Sequence, residues 1–394
     1  MGSPVNTDAG RATIAKGSLL KTALVINSGS SSLKFGVYRQ ADMGTVLHGA
    51  ADFSLQTGSG ESGFWVTQSD GGHKQFHQVS TEDHEALAGS IANLLASQQI
   101  KPDVIAHRVV HGGPHVRDHC LIRPQILQHL SAADIYAPLH NDAALAVIAA
   151  MQTLFPGVQQ VACLDTAFHA GMPEVARVFP LMQELRLEGI ERYGFHGISC
   201  ESIVHALGDE LPKRLVIAHL GSGASITAVQ NGRSIDTSMG LTPASGVPMS
   251  TRSGDLDPGV LLYLLREKKY DAARLERVLN KRSGLLGISR LSGDMRKLRE
   301  AAAQDADAAL AIDIFCYAIR KQIAAMAAAL GGIDMLVFAG GIGEHDAQTR
   351  AQISEGLAWL GLDTDLTRHS SRIKIVPSRE EEQMARHAFR LTAA

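Results

Sequence analysis

The chain has 394 residues, 45% hydrophobic and 20% charged, with 37 Lys and Arg against 40 Asp and Glu and a net charge of −3. That length leaves room for two or three domains, and the near-neutral balance excludes a broad basic face, so no nucleic acid is expected as a main partner. The four cysteines, Cys120, Cys163, Cys200 and Cys316, form no CxxC pair; this argues against a disulfide framework or a zinc ribbon and suits a reducing, cytoplasmic setting.

Residues 1–20 are small and polar and read as a disordered tail without a secretion signal. The first ordered element is a buried strand over 22–27, carrying Ala23, Leu24, Val25 and Ile26. The loop Asn27-Ser28-Gly29-Ser30-Ser31-Ser32 follows, then a second strand over 33–38. Residues 82–97 have helical spacing in Leu87, Ile91, Leu94 and Leu95. A strand over 104–110 stops at Gly112-Gly113-Pro114, an Ala-rich helix covers 141–154, and a buried strand covers 158–164.

Near mid-chain the opening pattern returns. An apolar run over 215–220 leads into Gly221-Ser222-Gly223, a strand over 225–230 follows, and Asn231-Gly232 marks a hairpin turn into 234–238. The two glycine loops lie about half the chain apart, a sign of internal duplication that would set them across a cleft. After Asp257-Pro258, a cap followed by proline at the first helical position, the chain is mainly helical to 330. A strand over 334–339 precedes the loop Gly340-Gly341-Ile342-Gly343, and a helix over 346–360 stops at Gly361. The stretch 323–343 carries Asp334 and several glycines, so no membrane span is expected. Strands mixed with helices throughout imply an α/β architecture.

Several segments could carry chemistry. Glycine loops directly after apolar strands bring backbone donors close to anions; three occur, after 22–27, 215–220 and 334–339. Lys34 adds a cation to the first. Arg108 interrupts an apolar run, and a buried arginine needs an anionic partner. Asp165 stands at a strand end, where α/β enzymes gather function, although Asp-Thr there also reads as a helix cap. His196 is flanked by glycines and aromatics, and Arg252 lies in a polar loop. His73, His77 and His84 read as surface residues without zinc spacing. Together these groups suit phosphoryl transfer, which asks for glycine loops, oxygen ligands for a metal, and cations around the moving group.

Asn27-Ser28-Gly29-Ser30-Ser31-Ser32-Leu33-Lys34-Phe35 resembles the first signature of the acetate kinases, and the resemblance continues in order through 107–113, 138–141, 165–169, 193–197, 251–258 and 341–344. It implies a duplicated actin-like ATPase fold, as in sugar kinases and heat-shock ATPases, of two domains with a cleft between them. The first would cover 21–164 plus 381–394, and the second, nucleotide-binding one 165–380. It implies ATP-dependent, reversible phosphorylation of acetate to acetyl phosphate with Mg²⁺, or Mn²⁺ in its place, in a homodimer. By the same resemblance Arg108 and Arg252 hold the carboxylate and the phosphoryl group, Asp165 is the essential carboxylate, and His140 and His196 lie near the phosphoryl group. Asn27 and Glu380 match the metal site, and Lys34 a nucleotide-phosphate position. His219, Leu220, Gly221, Ser222 and Gly223, then Asp294, Met295 and Arg296, then Gly341, Ile342, Gly343, Glu344 and His345 match the nucleotide segments. Val110, Leu139, Phe195 and Pro243 match the apolar pocket for the substrate's alkyl end.

The chain departs from the family pattern at Ser222 and His345, where Asn is usual, and over 242–250. The alternatives are a propionate or other short-chain carboxylate kinase and, in a different class, a non-catalytic ATP-driven conformational switch. A carboxylate is already a nucleophile at neutral pH, so Asp165 is expected to orient an arginine or the metal's waters rather than remove a proton.

Overall fold

A computed structural model describes residues 21–29, 32–52, 64–68, 75–77, 84–136, 138–362 and 372–393; the expected tail, 1–20, lies outside them. The strands are β1 (Thr22–Ser28), β2 (Ser32–Arg39), β3 (Thr45–Asp52), β4 (Phe64–Gln68), β5 (Gln75–His77), β6 (Val104–Val109), β7 (Cys120–Leu121), β8 (Gln159–Leu164), β9 (Arg214–Leu220), β10 (Ala224–Gln230), β11 (Arg233–Thr237), β12 (Met335–Ala339) and β13 (Ile373–Ile375). The helices are α1 (His84–Ser97), α2 (Pro124–Ala132), α3 (Pro138–Leu154), α4 (Glu174–Arg177), α5 (Gln183–Leu187), α6 (Gly197–Leu207), α7 (Pro258–Arg266), α8 (Ala272–Lys281), α9 (Gly284–Ser289), α10 (Met295–Ala301), α11 (Ala306–Ala329), α12 (Gly340–His345), α13 (Ala347–Glu355) and α14 (Glu380–Thr392).

The strands form two sheets, ordered β5-β4-β3-β2-β1-β6-β8-β7 and β11-β10-β9-β12-β13. Five strands of the first, β3-β2-β1-β6-β8, repeat the order and sense of the whole second sheet. In each, an antiparallel three-strand meander is extended by two parallel strands on the side of its first strand. β1 therefore corresponds to β9, and both bury four central residues in a row. The duplication suggested by the spacing of the glycine loops is thus a duplication of topology. Continuous apolar runs are what a parallel sheet covered on both faces requires.

Helix α6 joins the two halves. Its Ile198 packs with β1, β6, β8 and α14 against the first sheet, while Cys200, Ile203 and Leu207 pack against β9, β10 and β12 of the second. The Asn231-Gly232 turn takes φ of 50° and 78°, the left-handed pair that a two-residue hairpin needs.

Four readings are corrected or extended. The segment expected as a loop at Gly340–Gly343 is the short helix α12; glycines have low helix propensity, but Gly340 turns the chain at φ 75° and its N–H is bound by the Glu344 carboxylate at 3.0 Å. The helix expected over 346–360 is α13, capped by Asp346 on the Thr349 N–H at 2.9 Å, followed by a separate 3₁₀ turn ending at Gly361. Strands β3–β5 carried no readable alternation. In β3, Gly49 leaves space that a Cβ would take from the Phe35 ring, at 2.6 Å, and from the Trp65 carbonyl, at 2.5 Å. Finally, His84, read as a surface residue, is partly buried, its Nε2 3.5 Å from the Gly29 carbonyl; His73 and the side chain of His77 lie outside the described residues.

Three buried histidines give the fold an acid-sensitive interior. His107, His111 and His169 are at most 2% exposed, and burial pushes each imidazole down to about 4. The unfolded chain binds these protons near 6.5, so between pH 6.5 and 4 it holds more protons than the native state, and stability falls as pH falls through that window. The thermal midpoint should drop by several degrees between pH 7 and pH 5; a flat midpoint over that range would contradict the buried neutral state.

Candidate active site

The site is assembled where strands of both sheets end. β6 and β8 are parallel neighbours with Val109 opposite Leu164, so Arg108 and the residue after β8, Asp165, end up side by side. The Arg108 Nη2 donates to Asp165 Oδ2 at 2.5 Å, its Nε to Oδ1 at 3.0 Å, and its Nη1 to Asn27 Oδ1, at the end of β1, at 3.2 Å. Burial alone would lower the Arg108 pKa, but the charge and hydrogen bonds of Asp165 raise it. The pair fixes a guanidinium in one orientation at the cleft.

Gly197, the first residue of α6, lets this helix reach the same point. Its N–H donates to the Asp165 carbonyl at 2.8 Å, and a Cβ there would lie 2.3 Å from that oxygen. The residue ahead of it, His196, is held at φ 58° with Nδ1 3.0 Å from Ser225 Oγ, and its ring lies 4.3 Å from that of His219. His219 Nδ1 is in turn 2.7 Å from Ser199 Oγ. Burial, then the neighbouring His219, Arg108 and Arg252, pushes His196 well below its ordinary pKa, and burial pushes His219 to about 4. Both rings are neutral at pH 7 in the absence of an anion.

Arg252 faces the same space. Its Nη1 donates to the Pro243 carbonyl at 3.1 Å, and its pKa is lowered by burial and by the nearby Arg108. A bound anion relieves both penalties. A Cβ on Gly223 would come within 3.2 Å of His196 Nε2 and 3.5 Å of Arg252 Nη1, so the second glycine loop leaves the space between these groups open. Glu380, the first residue of α14, has its carboxyl pushed up to about 7 by burial, with Arg108 opposing and Asp165 and Glu381 adding to the rise.

Two adjoining cavities follow from this placement. One of about 400 Å³ is lined by Asn27, Lys34, Arg108, His196, His219 and Glu380. The other, about 1110 Å³, is lined by Gly221, Asp294, Met295, Arg296, Ile342 and His345. Ser222 and Gly341 line both. Asp294 caps α10 and is ion-paired to Arg296 at 2.7 Å. Val110 and Phe195 are 5% and 1% exposed in one apolar cluster, and Arg252 Nη1 links the Pro243 carbonyl to Met249 of that cluster.

Not every sequence-derived residue faces a cavity: Leu220 is fully buried in the core and Gly343 packs against the β12 backbone. Glu344 does line the smaller cavity, and its carboxylate accepts from the N–H groups of Gly340 and Ser378. Leu139 and His140 lie on α3, with side chains outside the described ones. Gly340, read only as part of the third glycine loop, lines the smaller cavity, and Ser225, Ser378 and Glu381 adjoin it and were missed. Ser225 could have been found, as it stands two residues beyond the second glycine loop.

The sequence pattern of the Acetokinase family matches residues 22–384. The chain belongs to the acetokinase family. It is 40% identical over 392 residues to the acetate kinase of Rhodopseudomonas palustris, covering 93% of this chain and 98% of that protein. The acetate kinase of Methylocella silvestris is 39% identical over 94% of this chain and 98% of its own. Among solved structures, the acetate kinase of Porphyromonas gingivalis superposes with a TM-score of 0.84 at 32% identity, over 94% of this chain and all of that one. A propionate kinase from Francisella tularensis gives 0.87 at 34% identity over the same shares. This kinship gives the acetokinase fold, two α/β domains with the cleft between them, to the duplicated sheets described above.

Proposed function

We propose that this acetokinase-family chain is an acetate kinase: it transfers the γ-phosphoryl group of ATP to acetate, reversibly, by direct in-line displacement. The observation that carries the reading is the orientation of Arg108 by Asp165 and Asn27 beside Arg252, next to a closed apolar cluster and a nucleotide-sized cavity. A carboxylate oxygen of acetate attacks the γ-phosphorus; that O–P bond forms as the bond to the ADP oxygen breaks. No proton is transferred, so no general base is needed. Arg108 and Arg252 each offer paired donors to carboxylate or phosphoryl oxygens, and a transition-state arginine supplies about 10³–10⁵ in rate in other phosphoryl-transfer enzymes. Neutral His196, with Nδ1 taken by Ser225, keeps an Nε2–H to donate to a phosphoryl oxygen. Arg108, Asp165, His196 and Arg252 in one cleft favour catalysis over a purely conformational use of ATP.

Asn27 and Glu380 are hard oxygen donors, and the one hydrogen bond to Glu380 among the described residues comes from Ser378 Oγ at 3.4 Å. This fits a divalent cation such as Mg²⁺, which when bound would offset charge on the nucleotide phosphates. His219, Gly221, Ser222, Asp294–Arg296 and Gly341–His345 form the nucleotide side, and Val110, Phe195 and Pro243 the alkyl pocket, in a first domain of 21–164 plus 381–394 and a second of 165–380. No described helix is long and apolar enough to cross a membrane, and we assign the enzyme to the cytoplasm.

Propionate is the second reading, favoured by the modest size of Val110. Each methylene that fits contributes about 0.8 kcal/mol, and one that clashes costs about 1–3 kcal/mol. In a hydroxamate assay with ATP and Mg²⁺, acetate and propionate should be used within about tenfold of each other and butyrate clearly less. Butyrate as efficient as acetate would contradict the closed pocket, and no acyl phosphate from any of the three would contradict the reading as a whole.

The chain is further proposed to act as a homodimer. Helix α7 buries none of its residues, leaving Val260, Leu262, Tyr263 and Leu265 exposed. Leu256, just ahead of it, shares an open cavity of about 610 Å³ with Ile314 and Tyr317 of α11. A second copy covering this apolar face accounts for its exposure. Light scattering should give twice the chain mass for the native protein and the single mass for Leu262→Arg; a monomeric native protein would contradict the assignment.

A further inference from the structure

Away from the cleft, Glu201 in the second turn of α6 lies between two histidines from distant parts of the chain. His119 Nε2 is 3.2 Å from both carboxylate oxygens, and His387 Nε2, on α14, is 2.7 Å from Oε2. The rings lie 3.9 Å apart at 30°, and the two histidines are 5% and 7% exposed. These ligand atoms lie within 4.8 Å of one another, close enough to hold a metal ion. The far side of each ring rules that out. The Leu164 N–H donates to His119 Nδ1 at 3.0 Å, and Arg390 Nη2 donates to His387 Nδ1 at 3.0 Å. Metal-ligating histidines donate from their second nitrogen; here both second nitrogens accept. Each neutral ring therefore carries its proton on Nε2 and donates it to Glu201. Gln383, whose amide can be flipped to accept, reaches the same His387 nitrogen at 3.1 Å. Burial would raise the Glu201 pKa, but the two histidine hydrogen bonds hold it at about 2, so it stays ionised.

Three active-site groups hang on this carboxylate. Leu164, bound through His119, is followed directly by Asp165. Glu201 is on the helix that His196 precedes, and His387 lies two turns along the helix that begins with Glu380. A further bond from the Arg379 N–H to Ser202 Oγ, 3.2 Å, ties the start of α14 to α6. We propose that Glu201 is a positioning residue that, through His119 and His387, sets the mutual placement of Asp165, His196 and Glu380. It touches neither substrate nor cleft and acts by geometry alone. The inference rests on the phosphoryl-transfer reading, and wild-type activity tests that reading separately.

The test uses the full chain with Glu201→Gln and, as the milder change, His387→Gln. Glu201→Gln removes the charge and replaces one of the two accepting oxygens with an NH2 donor facing an imidazole N–H, whereas His387→Gln leaves the His119 arm intact. Misplacement of reacting groups by about 1 Å costs roughly 10²-fold, so kcat should fall about 10–100-fold in the first variant and less in the second. The KM for ATP should rise much less than kcat falls, because the nucleotide contacts at Asp294–Arg296 are not among the groups the latch places. Wild-type kcat in folded variants would overturn the proposal, as would a KM for ATP that rises in step with the loss of kcat. Failure of both variants to fold would overturn it too, showing a folding requirement in place of a positioning one. So would one transition metal per chain by elemental analysis of the purified wild type.

Discussion

The structure depends on one ion pair between two parallel strand ends. Arg108 and Asp165 approach to 2.5 Å with side chains 20% and 2% exposed. A pair this buried contributes little net stability, because desolvation opposes the attraction, but losing one partner leaves an uncompensated charge at a cost of about 3–5 kcal/mol. Its value is orientation. The β6–β8 register sets the pair, Asn27 on β1 takes one Nη1 hydrogen and leaves the others free to donate, and the Gly197 N–H fixes the Asp165 backbone. The guanidinium is thereby held ready for an anion before one arrives, which is where preorganised electrostatics contributes most.

Duplication explains why the cleft has two corresponding sides. The repeated topology places an antiparallel strand pair in each half, β1–β2 and β9–β10, and α6 packs against both sheets. One half carries the oriented arginine and the other the open glycine loop beside His196 and Arg252. The Glu201 latch lies where α6 and α14 meet, between the halves, so the same carboxylate that stitches the fold sets the spacing of the site.

What was legible in the sequence follows from locality. β1, β6, β8 and β9 stand out because strands covered on both faces are unbroken apolar runs, and Arg108 stands out because it interrupts one. The second glycine loop, Gly221–Gly223, was readable as the break between β9 and β10, and Asn231-Gly232 as a hairpin. β3 was not, since Gly49 answers to the Phe35 ring across the sheet. α12 was missed because its helicity depends on Glu344 reaching back to Gly340. The Glu201 cluster left no signal: His119 is brought to it by the pairing of β7 with β8, and His387 by the packing of α14 on the first sheet. Ser225 was visible only as a neighbour of a glycine loop, and its bond to His196 needs the second sheet in place.

The central claim is that Asp165 works through Arg108 rather than as a base. A double-mutant cycle on turnover, with Asp165→Asn, Arg108→Ala and the two combined, tests it most directly. If Asp165 acts by orienting Arg108, the double variant is no slower than the slower single variant, and the coupling is a large part of the whole effect. Losses that multiply would contradict the account, because they would mean that Asp165 serves the reaction independently of the arginine it holds.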